Sequence, residues 1–211
     1  MDLIVLAKEP VPGRVKTRLC PPCTPAVAAE VAAAALADTL AAACAAGADR
    51  VVLALDGRPG AWCPSGVTVV DQGEGGLDQR LTRAWEATEG PAVQIGMDTP
   101  QLTATDLGLA MEGLLTPEVD AVLGEAADGG WWAIGLRRPQ PRAFLGVPTS
   151  RPDTGRRQLE RLGELGLRVG RLPVRADVDT WPDALAVALA HPPTRFAAVV
   201  RRQLAALEPT R

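Results

Sequence analysis

Residues 2–19 read DLIVLAKEPVPGRVKTRL, and the order of residue types along this stretch decides the fold class. The apolar run at 2–7 stops at Lys8, Glu9 and Pro10, with Pro12 and Gly13 just beyond. A short apolar run bounded by turn formers is a buried strand. Downstream, the Ala- and Leu-rich segment 25–46 has Pro25 near its start and Gly47 just past its end. Proline first and glycine last is the punctuation of a helix, because proline lacks only an N–H that the first turn leaves unused and glycine accepts the left-handed exit. The chain therefore opens with strand, basic loop and helix.

The same alternation continues. Strands are expected at 50–55, 67–71, 91–98, 119–124, 131–136 and 168–174, with the turn Ala127-Asp128-Gly129-Gly130 between the fourth and fifth of these. Helices are expected at 77–89, where Leu77, Leu81 and Trp85 share one face, and at 103–115, with Thr103 as N-cap and Asp106 in the capping-box position. Two more are expected at 154–165 and over 182–207, the last broken near His191-Pro192-Pro193. Strands alternating with helices make a mostly parallel sheet covered on both faces. The expected organisation is a single α/β domain over 1–211, with an irregular Pro- and Arg-rich lobe at 137–153 and a C-terminal helical extension over 182–208. In such sheets ligands bind outside the carboxyl ends of the strands, so the segments after strands are where chemistry is sought.

Composition narrows the partners. The 211 residues are 47% apolar and 22% charged with a net charge of −3, the balance of an ordinary globular protein without the basic excess of a nucleic-acid binder. Lys8 and Glu9 cut the first apolar run too short for a signal peptide. Glu30 and Asp38 interrupt the apolar stretch 26–48, which falls short of a membrane span. The expected location is cytoplasmic, with no membrane partner. Cys20-Pro21-Pro22-Cys23 has the spacing of half a zinc site or of a redox pair. There is no second such pair, however, and His191 is the sole histidine, so reduced thiols at a helix start are expected.

The loop after the first strand carries Lys8, Arg14, Lys16 and Arg18 around Gly13. Four cations concentrated in a chain of net negative charge suit phosphate: arginine forks match its oxygens, lysine adds a point charge, and glycine lets the backbone come close. A helix following the loop would add its N-terminal amides. Neither the Walker A spacing nor GxGxxG is present. The alternative is a solvated basic turn.

Acidic residues follow later strands. Asp98, at the end of 91–98, is placed to hold Mg²⁺ or Mn²⁺, or else to cap the next turn. Asp177 and Asp179 fall on one side of an extended segment; one of them could complete the metal site, or Asp179 could cap the last helix. Asp128 sits beside two glycines, where it could bind an acceptor hydroxyl, act as a base, or simply make a turn.

Four motifs in fixed order carry a resemblance: AKEPVPGRVKTRL (7–19), IGMDTPQL (95–102), GEAADGGWWAIGL (124–136) and ADVDTWPDAL (176–185). Together they resemble the DUF2064 family of glycosyltransferase-like proteins, in the GT-A-like nucleotide-diphospho-sugar transferase superfamily that also holds guanylyl- and cytidylyltransferases. The resemblance implies phosphate binding by Lys8, Arg14, Lys16 and Arg18, metal ligation by Asp98 and Asp179, and an acceptor pocket at Asp128. The nucleotide- and phosphate-binding set is then Ala7, Lys8, Gly13, Arg14, Lys16, Thr17 and Arg18, with Lys16, Arg14 and Asp128 as the catalytic candidates. Met97-Asp98-Thr99-Pro100 replaces the family's Ser-Asp-Cys-Pro, Gly76 stands where an Asp is usual, and the segment 146–154 lacks a Trp. Two reactions follow from this site. Nucleotidyl transfer from a nucleoside triphosphate uses four cations on departing pyrophosphate and is slightly favoured; glycosyl transfer from an NDP-sugar uses a metal on the diphosphate. Each pairs a nucleotide donor with a small-molecule acceptor. A non-catalytic nucleotide-binding module is the third reading. The apolar stretch 194–207 is a candidate surface for a homodimer.

Overall fold

The computed structural model describes residues 1–207; the last residue of the expected C-terminal extension, Glu208, lies outside them. Seven strands form one sheet: β1 (Asp2–Lys8), β2 (Arg50–Asp56), β3 (Thr68–Asp71), β4 (Ala92–Gly96), β5 (Ala121–Ala126), β6 (Trp131–Leu136) and β7 (Val169–Arg175). Their order is β3-β2-β1-β4-β6-β5-β7. Only β6 runs antiparallel to its neighbours, as the return limb of the hairpin that Asp128 and Gly129 turn. The chain leaves β1 outward to β2 and β3, then returns to pair β4 on the other side of β1, with Val5 opposite both Leu53 and Ile95. That reversal splays the connections apart and opens a crevice at the carboxyl ends of β1 and β4.

Period-two alternation sends the side chains of β1 to opposite faces. Leu3, Val5 and Ala7 pack under α1 (Pro25–Ala45) and α3 (Ala104–Leu115), whereas Ile4 and Leu6 pack under α2 (Leu77–Glu86) and α4 (Thr154–Glu164). Thr103 Oγ1 accepts from the Asp106 N–H, and Asp106 Oδ2 accepts from the Thr103 N–H, which makes the expected capping box. The lobe 137–153 is irregular as expected, apart from a short 3-10 turn at Pro141–Ala143. It is anchored by Phe144, which packs 5.6 Å from the Trp85 ring.

The C-terminal pair α5 (Trp181–Ala190) and α6 (Arg195–Leu207) breaks at His191, as the proline pair predicts. Its apolar face does not wait for a partner subunit. Phe196, Ala197 and Val200 are buried against Ala28, Val31 and Ala35 of α1 and against Trp181 and Ala184 of α5. The expectation that 194–207 offers a dimer surface therefore misassigns a face that the same chain covers. Helix α1 is consequently buried on two sides. Contrary to the expectation drawn from Glu30 and Asp38, it is long and apolar enough to cross a membrane by length and composition, with a mean hydropathy of 1.6, but 56% of that window is buried inside the fold. Core packing accounts for its apolarity.

Candidate functional site

The carboxyl ends of β1 and β4 open on a cleft of about 890 Å³. The first loop forms one wall. Val15, 7% exposed, plugs into the core and pins the loop between its flanking cations. Lys16 then takes a left-handed backbone, φ 47°, unusual for a residue with a side chain and costing of order 1 kcal/mol. That turn sends the lysine inward. Its side chain is 7% exposed, and its Nζ donates to Asp98 Oδ1 at 2.5 Å and to the Val178 carbonyl, 4.0 Å from Asp179 Oδ1. Arg18 Nη1 donates to Asp179 Oδ2 at 3.0 Å. Lys16 and Lys8 are the only lysines in the chain. Lys8 stands exposed at the end of β1.

Of the expected phosphate-binding residues, Ala7, Lys8, Arg14, Lys16, Thr17 and Arg18 line the cleft. Gly13 does not. Its φ of 77° makes the turn, and a Cβ there would meet no protein atom within 4 Å. A second correction concerns the helix. The loop runs into a 3-10 turn at Thr17–Leu19, and α1 begins only at Pro25 with Thr24 as its cap, so the amino end of α1 is not part of the cleft lining. The positive charge that the loop presents to the cleft comes from side chains.

Asp98 and Asp179 meet where Lys16 ends. The Asp179 alternative, capping the last helix, is taken instead by Asp183, whose Oδ2 accepts from the N–H and hydroxyl of Thr180. Asp98 does not spend its side chain on a turn cap either; its carboxylate faces Lys16, while its backbone carbonyl accepts from the Val178 N–H at 2.9 Å. Val178 is 1% exposed, packed in the C-terminal helical cluster. Asp177 also lines the cleft, and burial, reinforced by Asp128, Asp179 and Asp98, pushes its carboxyl up to about 6. Two carboxylates sharing one lysine suit a Mg²⁺ or Mn²⁺ that draws its remaining ligands from phosphate and water. Among the described residues no group of three His, Cys, Asp or Glu is gathered to hold a metal by protein ligands alone.

Asp128 lines the cleft near Asp177, and its Oδ1 accepts from the Gly130 N–H at 2.8 Å. The neighbouring Gly129, φ 91°, lies against the lobe so closely that a Cβ would fall 1.8 Å from the Pro152 carbonyl oxygen. This contact brings Thr149–Pro152 into the cleft wall. The expected apolar face of α2 holds for Leu81 and Trp85. Leu77 is 39% exposed, because the first turn of α2 overhangs the cleft and leaves it on the lining.

Several site residues escape sequence reading. Asp56, at the end of β2, accepts from Arg80 at 2.7 Å and lies 4.0 Å from Arg14. The Arg80 hydrogen bond, with Lys8 and Arg14 nearby, holds its carboxyl below the usual range against some burial. Gln94 of β4 lies on the cleft floor, 1% exposed. A polar residue inside an otherwise apolar strand was the available signal. The cysteines are free, and Cys23 is buried among apolar neighbours of the C-terminal cluster, with burial pushing its thiol up. A smaller depression of about 390 Å³ lies at the amino ends of the strands, around Asp2, Arg50 and Glu89.

A family described as "Uncharacterized protein conserved in bacteria (DUF2064)" matches residues 27–151. No curated protein matches the sequence. Among solved structures, a candidate nucleotide-diphospho-sugar transferase from Desulfovibrio desulfuricans G20 is 24% identical over 97% of this chain and 95% of its own, with a TM-score of 0.85. A nucleotidyl transferase from Methanothermobacter thermautotrophicus is 19% identical over 89% and 95%, TM-score 0.61. Glucosyl-3-phosphoglycerate synthase from Mycobacterium tuberculosis, solved with Mn²⁺, UDP and glucosyl-3-phosphoglycerate, is 12% identical over 84% and 71%, TM-score 0.54. At these identities the likeness is one of fold.

Proposed function

Because the chain belongs to the DUF2064 family and has the GT-A-like fold shared by nucleotidyltransferases and glycosyltransferases, we propose that it is a metal-dependent transferase acting on a nucleotide donor. The observation that carries this reading is the meeting, in one cleft, of the cations Lys8, Arg14, Lys16 and Arg18 with the carboxylates Asp98 and Asp179. Two of these cations, Lys16 and Arg18, pair with Asp98 and Asp179 when no ligand is bound. A bound Mg²⁺ or Mn²⁺ would supply charge neutralisation on the phosphates. Asp98 and Asp179 would hold that cation, leaving Lys16 and Arg18 free to donate to phosphate oxygens. Lys8 and Arg14 extend the cationic track along the polyphosphate.

Nucleotidyl transfer uses all four cations. An oxygen of a phosphorylated small molecule attacks the α-phosphate of a nucleoside triphosphate, the bond to the β-phosphate breaks, and pyrophosphate leaves against the basic loop. Positioning and electrostatics supply most of the acceleration of such a step. Asp128 lines the cleft, placed to orient the acceptor or take its proton. A second reading, glycosyl transfer from an NDP-sugar, is favoured by one observation: both carboxylates of Asp177-Val178-Asp179 line the cleft.

The deciding experiment is a melting screen of the purified protein against the four NTPs and common NDP-sugars, with and without Mg²⁺ or Mn²⁺. Stabilisation by an NTP, with pyrophosphate release once an acceptor is supplied, supports nucleotidyl transfer, and a response confined to an NDP-sugar supports glycosyl transfer. No metal-dependent shift with any nucleotide would overturn both.

A further inference from the structure

Gln94 lies in β4 between Ile4 of β1 and Ile134 of β6, on the face of the sheet covered by α2. It is 1% exposed. Its Oε1 accepts from Trp85 Nε1 at 2.5 Å. An indole N–H can only donate, so the amide orientation is fixed: oxygen to the tryptophan, nitrogen away from it. The Nε2 has no hydrogen-bond partner in the protein. A buried donor left in that condition costs of order 1–3 kcal/mol unless something accepts from it, so such a group calls for an acceptor.

The acceptor can arrive from the cleft, because Gln94 is part of its floor. Gly96 sits two residues further along β4 on the same face, where a side chain would otherwise roof the amide. A Cβ built there meets nothing nearer than the Asp98 nitrogen at 4.0 Å, so the space above is open. The cleft residues on this face of the sheet, Leu6, Leu81 and Trp131, are apolar, and Leu77 overhangs them from α2. This apolar surface beside a buried amide suits the face and one edge of a planar ring, with Gln72 and Arg80 in the same lining.

We propose that Gln94 reads the base of the bound nucleotide through Nε2, donating to O4 of uracil or O6 of guanine, and that this subsite prefers these keto bases over cytosine and adenine, which carry an amino group at the same position. Its oxygen is committed to Trp85, so the amide offers donors only. A carbonyl edge is matched, whereas an exocyclic amino group sets donor against donor. Gly96 is the opening through which the base edge reaches the floor. This inference rests on the nucleotide-donor reading above.

The test is calorimetric titration of the full chain, in saturating Mg²⁺, with UTP against CTP and GTP against ATP. At least one keto nucleotide is expected to bind about 10- to 100-fold more tightly than its amino counterpart, the range set by one buried donor satisfied or left bare. Gln94→Met removes the donor at similar volume and should reduce that ratio to within about threefold. Because Gln94→Met also breaks the Trp85 hydrogen bond, Gly96→Ala serves as an independent variant. It leaves Gln94 and Trp85 untouched, meets no protein atom in ordinary contact, and should weaken the keto nucleotide by about tenfold or more while sparing the melting temperature of the free protein. A preference for amino bases, equal binding of both classes, or a keto preference that survives Gln94→Met would overturn the assignment. Wild-type protein that binds no nucleotide at all would instead overturn the donor reading, and this inference with it.

Discussion

Lys16 Nζ lies 2.5 Å from Asp98 Oδ1, with the lysine side chain buried to 7% exposure and the aspartate 47% exposed. Under the proposed metal site, this lysine and a divalent ion would compete for one carboxylate. Lys16→Met should therefore tighten Mn²⁺ binding to the nucleotide-free protein, by roughly tenfold if the lysine charge is the main competitor. The same substitution should weaken metal–nucleotide binding by about 10- to 100-fold, because a buried charge-assisted contact to phosphate is lost. Mn²⁺ titration followed by electron paramagnetic resonance, with and without nucleotide, separates the two effects. Weaker Mn²⁺ binding by the free variant would show that Lys16 positions the carboxylates rather than competing for them.

Asp98→Ala should leave a nucleotide complex that no longer responds to metal. The basic loop remains, and Lys16 loses its closest carboxylate, so metal-free nucleotide affinity is expected to hold or rise. A melting curve with nucleotide, recorded with EDTA and with Mg²⁺, should coincide for this variant. If Mg²⁺ still raises its melting temperature, the principal ligand is another of the clustered carboxylates, Asp177 or Asp179.

Asp106 joins two parts of the fold: Oδ2 closes the capping box with Thr103, and Oδ1 accepts from Arg175 of β7 at 2.5 Å. Burial opposes its ionisation, but the hydrogen bonds from Thr103 and Arg175 win and hold its carboxyl below the usual range. A lowered folded-state value means that the stabilisation is present above the ordinary carboxylate range and is lost as pH falls through the folded value. Asp106→Asn should cost about 1–3 kcal/mol at pH 7, the cost of weakened charge-assisted hydrogen bonds and a cap. Urea titrations at pH 7 and pH 3 should show the gap between wild type and variant narrowing at the lower pH. A gap that stays constant would mean that Asp106 acts by shape alone.

Gly129→Ala meets two obstacles at once, a φ of 91° and the Pro152 carbonyl 1.8 Å from the new Cβ. Overpacking and the left-handed backbone together predict a loss of about 2–4 kcal/mol. The Gly155 N–H donates to the Gly129 carbonyl at 2.8 Å, so the start of α4 moves with the turn. Chemical denaturation measures the loss. A change under about 0.5 kcal/mol would show that the Thr149–Pro152 wall gives way freely.

The alternation of strand and helix was legible because each element carries a local signature: Pro25 and Gly47 bracket α1, and Thr103 with Asp106 starts α3. The order of the sheet was not. A hairpin limb such as β6 has the same apolar pattern as a parallel strand, and nothing local says that it inserts between β4 and β5. The loop cations and the strand-end acids could be read as candidates, since composition shows their charge. Their pairing could not, because it depends on Lys16 taking a left-handed backbone that its residue type does not advertise. The stripe Leu77, Leu81, Trp85 shows which face of α2 is apolar but not that its first turn overhangs a cleft. Gln94 is the clearest case. Its oxygen is taken by Trp85 on another element and its buried donor lies beneath the bare backbone of Gly96, and no window of sequence contains that relation as a pattern.

Val178 binds the site from behind: its N–H holds the Asp98 carbonyl, its own carbonyl holds Lys16, and its side chain is sealed among α1, α5 and α6. A ligand that draws Lys16 or Asp98 forward therefore pulls on a residue embedded in the C-terminal helical layer. Amide hydrogen exchange along Trp181–Ala190 and Arg195–Leu207 should slow when metal and nucleotide are added, although neither helix lines the cleft. The far end of the chain then becomes a remote gauge of occupancy. Clipping it back into α6 would loosen the grip on Asp98 and Lys16 without removing a single atom that touches the nucleotide.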